Sequence, residues 1–87
     1  MEFEWDEAKR ASNLAKHGLD FAELRRVDWA AAHIGRDDRF DYGEERYTAY
    51  SDLDGHLVVI IFTWRGEAMR IVSLRRANKR EIRIYGT

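Results

Sequence analysis

From Tyr47 to Arg75 the chain reads YTAYSDLDGHLVVIIFTWRGEAMRIVSLR, three apolar or alternating runs parted by two short breaks. Asp54-Gly55 is a dipeptide favoured in type I′ hairpin loops, whose backbone needs positive φ at both central positions. Arg65-Gly66 supplies a second tight turn. Tyr47–Ser51 and Met69–Arg75 then flank Leu57–Trp64, a run nearly all β-branched or aromatic, which predicts a central strand buried on both faces. Neither break is long enough for a crossover, so the strands are expected to be antiparallel.

Upstream, Trp29–Arg36 reads as a first long strand, followed by a polar loop over Asp37–Gly43. Before it the period is helical. Glu2-Phe3-Glu4-Trp5 alternates as a short edge strand. Asp6 then stands as an N-cap, and Ala8, Ala11, Leu14 and Ala15 share one face. Gly18 comes after Lys16-His17 as the left-handed stop. Asp20 and Glu23 have capping-box spacing, with Leu19 and Leu24 at the positions of a hydrophobic staple, predicting a short second helix from Phe21 to Asp28. Beyond Arg76, Ala77, Glu81 and Tyr85 recur every fourth residue, which predicts a terminal helix. The architecture expected is α+β: two N-terminal helices packed on one face of a four-stranded antiparallel sheet, with a C-terminal helix. No repeat, proline or linker interrupts residues 1–87, so one domain is expected.

Composition narrows the functional classes. The 87 residues are 45% apolar and 36% charged, which excludes a disordered tail, and no run approaches the ~20 apolar residues of a membrane span. With no cysteine, a thiol nucleophile, a thiolate metal site and a disulfide scaffold all fall away. The acidic start lacks the basic and apolar regions of a signal peptide, which predicts a cytoplasmic protein. The net charge of -1 hides a division. Residues 1–64 carry 8 Lys or Arg against 14 Asp or Glu, whereas residues 65–87 carry seven cations against two acids. Six of those seven are arginines, whose planar fork of donors matches a phosphate. A solvated Arg-rich helix would also account for the block.

Few chemistries suit the remaining side chains. His17, His33 and His56 show no metal-ligand spacing, so no metal is expected. Ser12, Ser51 and Ser73 lack a glycine-flanked nucleophile turn, and there is no glycine-rich phosphate loop. Arginine, lysine, histidine and tyrosine suffice for metal-free RNA cleavage, in which the 2′-hydroxyl attacks the adjacent phosphate. Arg65 at a hairpin tip and Arg75 at a strand end are candidate phosphate holders. Lys16, His17 and Tyr85 are candidates for proton transfer. Lys16 and His17 also fit as helix C-terminal caps, and Tyr85 as a packing residue. Glu44 and Arg46 are candidates for orienting a catalytic arginine, although a cross-strand ion pair with an arginine of the central hairpin explains them without any function. Trp64 could stack a base or pack in the core, and Arg76 and Lys79 add cations for an RNA backbone.

These residues give the chain a resemblance to the BrnT family of ribonuclease toxins from bacterial type II toxin–antitoxin pairs. The matching blocks are Phe3-Glu4-Trp5-Asp6, Lys9, Asn13, Lys16-His17-Gly18 and Phe21; Gly43-Glu44 with Arg46; and Arg65-Gly66-Glu67, Arg70-Ile71-Val72-Ser73, Arg75-Arg76-Ala77, Glu81 and Tyr85. Leu74 departs from the small residue common there, and residues 28–42 match poorly. The resemblance implies a RelE-like fold and RNA cleavage that arrests translation. It also implies a BrnA-type ribbon-helix-helix antitoxin, through which alone operator DNA would be bound; from the side chains themselves no cofactor is expected. The competing expectation is a non-catalytic interaction module, or an inactive family member, whose basic face serves a regulatory partner.

Overall fold

Why the chain turns where it does is settled largely by its caps. The structure, a computed structural model, describes residues 2–39 and 41–86; Phe40, within the expected loop, and the terminal Met1 and Thr87 lie outside them. Strand β1 (Glu2–Glu4) leads into helix α1 (Glu7–His17). The Asp6 carboxylate accepts from the N–H groups of Ala8 and Lys9, and Gly18 closes the helix at φ 71°. The reciprocal Asp20–Glu23 capping box forms as expected. The segment it opens, however, is a 3₁₀ helix, Phe21–Arg26, and not an α-helix. Six residues return too few α-type hydrogen bonds to offset nucleation, so the tighter turn that drives Phe21 and Leu24 into the core prevails.

A second 3₁₀ turn, Trp29–Ala31, replaces the first half of the long strand expected there. The Asp28 side chain caps it at the Ala31 N–H, and the Trp29 indole donates to the Leu24 carbonyl at 3.0 Å. Strand β2 is therefore His33–Asp37, and Asp37 belongs to the strand and not to the loop. Strands β3 (Arg46–Leu53), β4 (His56–Arg65) and β5 (Ala68–Arg76) form the expected meander, with β4 central. Asp54 and Gly55 both take positive φ, 51° and 87°, as the type I′ reading requires.

The sheet differs from expectation in number and sense. It has five strands in the order β1-β5-β4-β3-β2, and β1 runs parallel to β5, making the sheet mixed. One α-helix, not two, precedes the meander. The terminal helix α2 spans Lys79–Tyr85, starting later than its Ala77 periodicity suggests because Asn78 and Glu81 form a second capping box.

One face of the sheet holds the core: Ala49, Val58, Ile60, Phe62, Ile71 and Leu74 pack against Phe21, Leu24 and Val27. An irregularity at Ile61/Phe62 keeps both Leu74 and Ile71 on that face, since Ile61 pairs with Ser73 but Phe62 with Ile71. Asn13 fastens α1 to β5, donating to the Leu74 carbonyl at 2.8 Å and accepting from the Leu74 N–H at 3.1 Å. The opposite face, partly covered by α2, is left open. Among the described residues no helix is long and apolar enough to cross a membrane.

Candidate functional site

The open face owes its chemistry to period-two alternation. Residues that alternate with the core set point away from it, so Tyr50 and Thr48 of β3, Val59 and Ile61 of β4 and Arg75 of β5 share the outer face. Together with β2 and α2 they line a cleft of about 420 Å³, within the range of small-molecule sites.

Arg75 is held at one wall. Its Nη1 and Nη2 donate to the two Glu81 carboxylate oxygens, both at 2.8 Å, a bidentate pair that fixes the guanidinium plane. The Asn78 N–H donates to the same carboxylate at 2.9 Å, so the cap of α2 also aims the partner of Arg75. These contacts hold the Glu81 carboxyl below its ordinary range, with the Arg75 hydrogen bonds the main cause. Tyr85, one helical turn on, lies flat on Tyr50 with ring centroids 3.8 Å apart and planes 8° from parallel. Burial, then the charges of Tyr85 and Glu81, raises the Tyr50 phenol above its usual value.

The far wall is built by Asp37. Only 2% of its side chain is exposed, and it accepts from Arg39 Nε at 2.9 Å, Arg39 Nη2 at 3.0 Å and the Tyr42 hydroxyl at 3.2 Å. The Arg39 hydrogen bonds outweigh burial and bring its pKa down to about 2, so it stays charged.

The residues singled out from sequence fall into separate places. Arg75 and Tyr85 meet in this cleft. Arg65 does not join them: it faces the same side of β4, but the Arg75 register partner is Val59, six residues earlier, about 20 Å along the strand. Lys16 and His17 line a different groove, between α1 and Val72-Ser73 at the β5 side of the sheet. A single pocket gathering all of them is thus not what forms, because residue spacing records neither distance along a strand nor the pairing register. Glu44 pairs locally with Arg46 at 3.2 Å, and the Arg46 guanidinium sits 4.2 Å over the Tyr42 ring, so neither reaches Arg65 or Arg75. Trp64 is 46% exposed on the core-bearing face, edge-on to Phe62, away from the cleft. Arg76 and Lys79 are exposed at the junction of β5 and α2.

Tyr50, His33 as a member of this cleft, Glu81 as the partner of Arg75, and the Asp37–Arg39 clamp escaped the sequence reading. Asn78-x-x-Glu81 carries a capping-box spacing that could have located Glu81. No comparable local signal marks Tyr50. Among the described residues no three His, Asp or Glu side chains gather as a metal site.

Fold and site together define a small α+β protein whose open sheet face carries an arginine–tyrosine cleft flanked by cations. Residues 5–81 match the family model of the ribonuclease toxin BrnT of type II toxin–antitoxin systems. The chain belongs to that family, and so to the toxins whose substrate is RNA and whose partner is an antitoxin protein. No curated protein matches the chain.

Proposed function

We propose that the outer-face cleft is the catalytic centre of a metal-independent endoribonuclease acting in the cytoplasm. The RNA 2′-hydroxyl attacks the adjacent phosphate, Arg75 neutralises the charge that builds on the phosphate oxygens, and Tyr85 takes part in proton transfer. The observation that carries this reading is the orientation of Arg75: Glu81 and the Arg76 carbonyl fix the guanidinium, and its Nε–H and second Nη2 proton remain for a phosphate. Arg65 and Lys16, exposed cations without an ion pair among the described residues, contact the flanking strand together with His17, Arg76 and Lys79. The neutralising partner is a BrnA-type ribbon-helix-helix protein, and operator DNA is bound only through it.

Purified protein is expected to cut single-stranded RNA in EDTA, leaving 2′,3′-cyclic phosphate and 5′-hydroxyl ends. Intact RNA, or cleavage abolished by EDTA, overturns the reading. One observation favours a non-catalytic module instead: both Arg75 amino groups are already occupied by Glu81. A module of that kind is harmless when expressed without its antitoxin, whereas a nuclease arrests growth.

A further inference from the structure

A histidine that neither holds the phosphate nor contacts the flanking strand stands in the same lateral row as Arg75. His33, Tyr50, Val59 and Arg75 are successive register partners across β2, β3, β4 and β5. Register partners project from one face of a sheet, so the imidazole and the guanidinium occupy the two ends of a single row. Three strand spacings separate their backbones by about 14 Å. That separation is between backbones, and side chains leaning inward from the two ends narrow it, so a phosphate on the guanidinium can carry its ribose toward the imidazole. Both side chains line the outer-face cleft. The His33 ring lies 5.8 Å from the Tyr85 ring and is tilted 50° to it, so the two rings converge without stacking. His33 is exposed, and among the described residues no hydrogen bond or ion pair engages its nitrogens.

The other histidines are placed differently. His17 lies in the groove beside Ser73, and His56 opens β4 behind the Asp54-Gly55 turn. The groups facing His33 within the cleft are Tyr50 from β3, Tyr85 and Glu81 from α2, and Arg75 from β5. Its own strand adds Arg36 and Asp37, with Asp38 and Arg39 just beyond. On its other side the neighbouring groove brings Asp28, Asp52 and His56.

We propose that His33 is the proton acceptor for the attacking 2′-hydroxyl, an inference that rests on the nuclease reading of this cleft. An imidazole nitrogen takes the O2′ proton as the O2′–P bond forms. The P–O5′ bond breaks, and the leaving oxygen takes its proton from the Tyr85 phenol. The products are a 2′,3′-cyclic phosphate and a 5′-hydroxyl; the imidazolium proton returns to the phenolate through water. Imidazole suits the role because it is the side chain that ordinarily changes charge near neutral pH.

The test compares wild type, His33→Gln, His33→Ala and His56→Gln on a short RNA containing one cleavable linkage, in EDTA, from about pH 5 to 8. His33→Gln is expected to lower kcat by about 10²–10⁴-fold with KM little changed, and to erase the acidic limb of the rate profile. His33→Ala should recover activity with added imidazole, and His56→Gln should match wild type. A His33→Gln enzyme with wild-type kcat and an intact acidic limb, while Arg75→Ala in the same assay is slower by about 10²–10³-fold, overturns the assignment and leaves the nuclease reading standing. A variant that loses only affinity likewise overturns proton transfer by His33. Wild-type protein that leaves the RNA intact overturns both.

Discussion

Replacing Asn13 by alanine would remove the clasp that seats α1 on the sheet. The residue is 7% exposed and engages three backbone groups: it accepts from the Leu74 N–H at 3.1 Å and donates to the carbonyls of Leu74 and Leu19 at 2.8 and 3.1 Å. The pairing of β1 with β5 ends at Arg70, so the Asn13 amide takes up the β5 edge beyond the reach of β1. Alanine supplies neither donor nor acceptor. A buried backbone group left without a partner costs about 1–3 kcal/mol. Taking the low end for each of three groups gives about 3 kcal/mol, since water can enter beside an exposed helix. For a domain of this size each kcal/mol moves Tm by roughly 4–8 °C, so a fall of about 12–24 °C is expected. Thermal melting by circular dichroism reads it directly, with urea unfolding as a second measure. Asn13→Asp should be no better, because a carboxylate cannot donate to the two carbonyls. A fall below about 4 °C would refute the claim that this amide holds the helix in place.

Acid should weaken the fold through Asp37 and Asp20, both held at about 2 by their arginine partners. Their depressed values mean that the unfolded chain binds more protons as pH falls below the ordinary carboxylate range. Stability from these groups is therefore full above about pH 4 and is lost toward about pH 2. Urea midpoints across that window should fall, and Asp37→Asn should make the fall shallower. Arg65→Ala should weaken RNA binding and reduce its salt dependence by about one counterion, with kcat unchanged; an unaltered salt slope would show that Arg65 makes no phosphate contact.

Local signals were legible wherever one backbone conformation demanded one residue type. The Asp54-Gly55 loop, the Gly18 stop and the Asp6 and Asp20 caps arise from such demands. The parallel docking of β1 on β5 does not, because Glu2–Glu4 meets Ala68–Arg70 across more than sixty residues and no local pattern records that pairing. Residues 29–36 misled for another reason. Their alanines have little preference for a strand, and Asp28 is a good cap, so Trp29–Ala31 turns before β2 begins. For the site, strict alternation from Met69 would set Arg75 on the core face; the irregularity at Ile61/Phe62 turns it outward, and the row joining it to Tyr50 depends on register across three strands. Lys16 and Arg65 carried plausible chemistry in sequence, yet helix placement sets Lys16 in a separate groove and strand length sets Arg65 well beyond the cleft.

Single-turnover cleavage of an RNA oligonucleotide in EDTA by wild type and Arg75→Ala, with folding of each checked at the assay temperature, tests the assignment of the cleft most directly. Wild type should yield cyclic-phosphate ends, and the folded variant should be slower by about 10²–10³-fold, as for loss of ~2.7–4 kcal/mol of transition-state stabilisation. A folded Arg75→Ala protein that cleaves at the wild-type rate would contradict it.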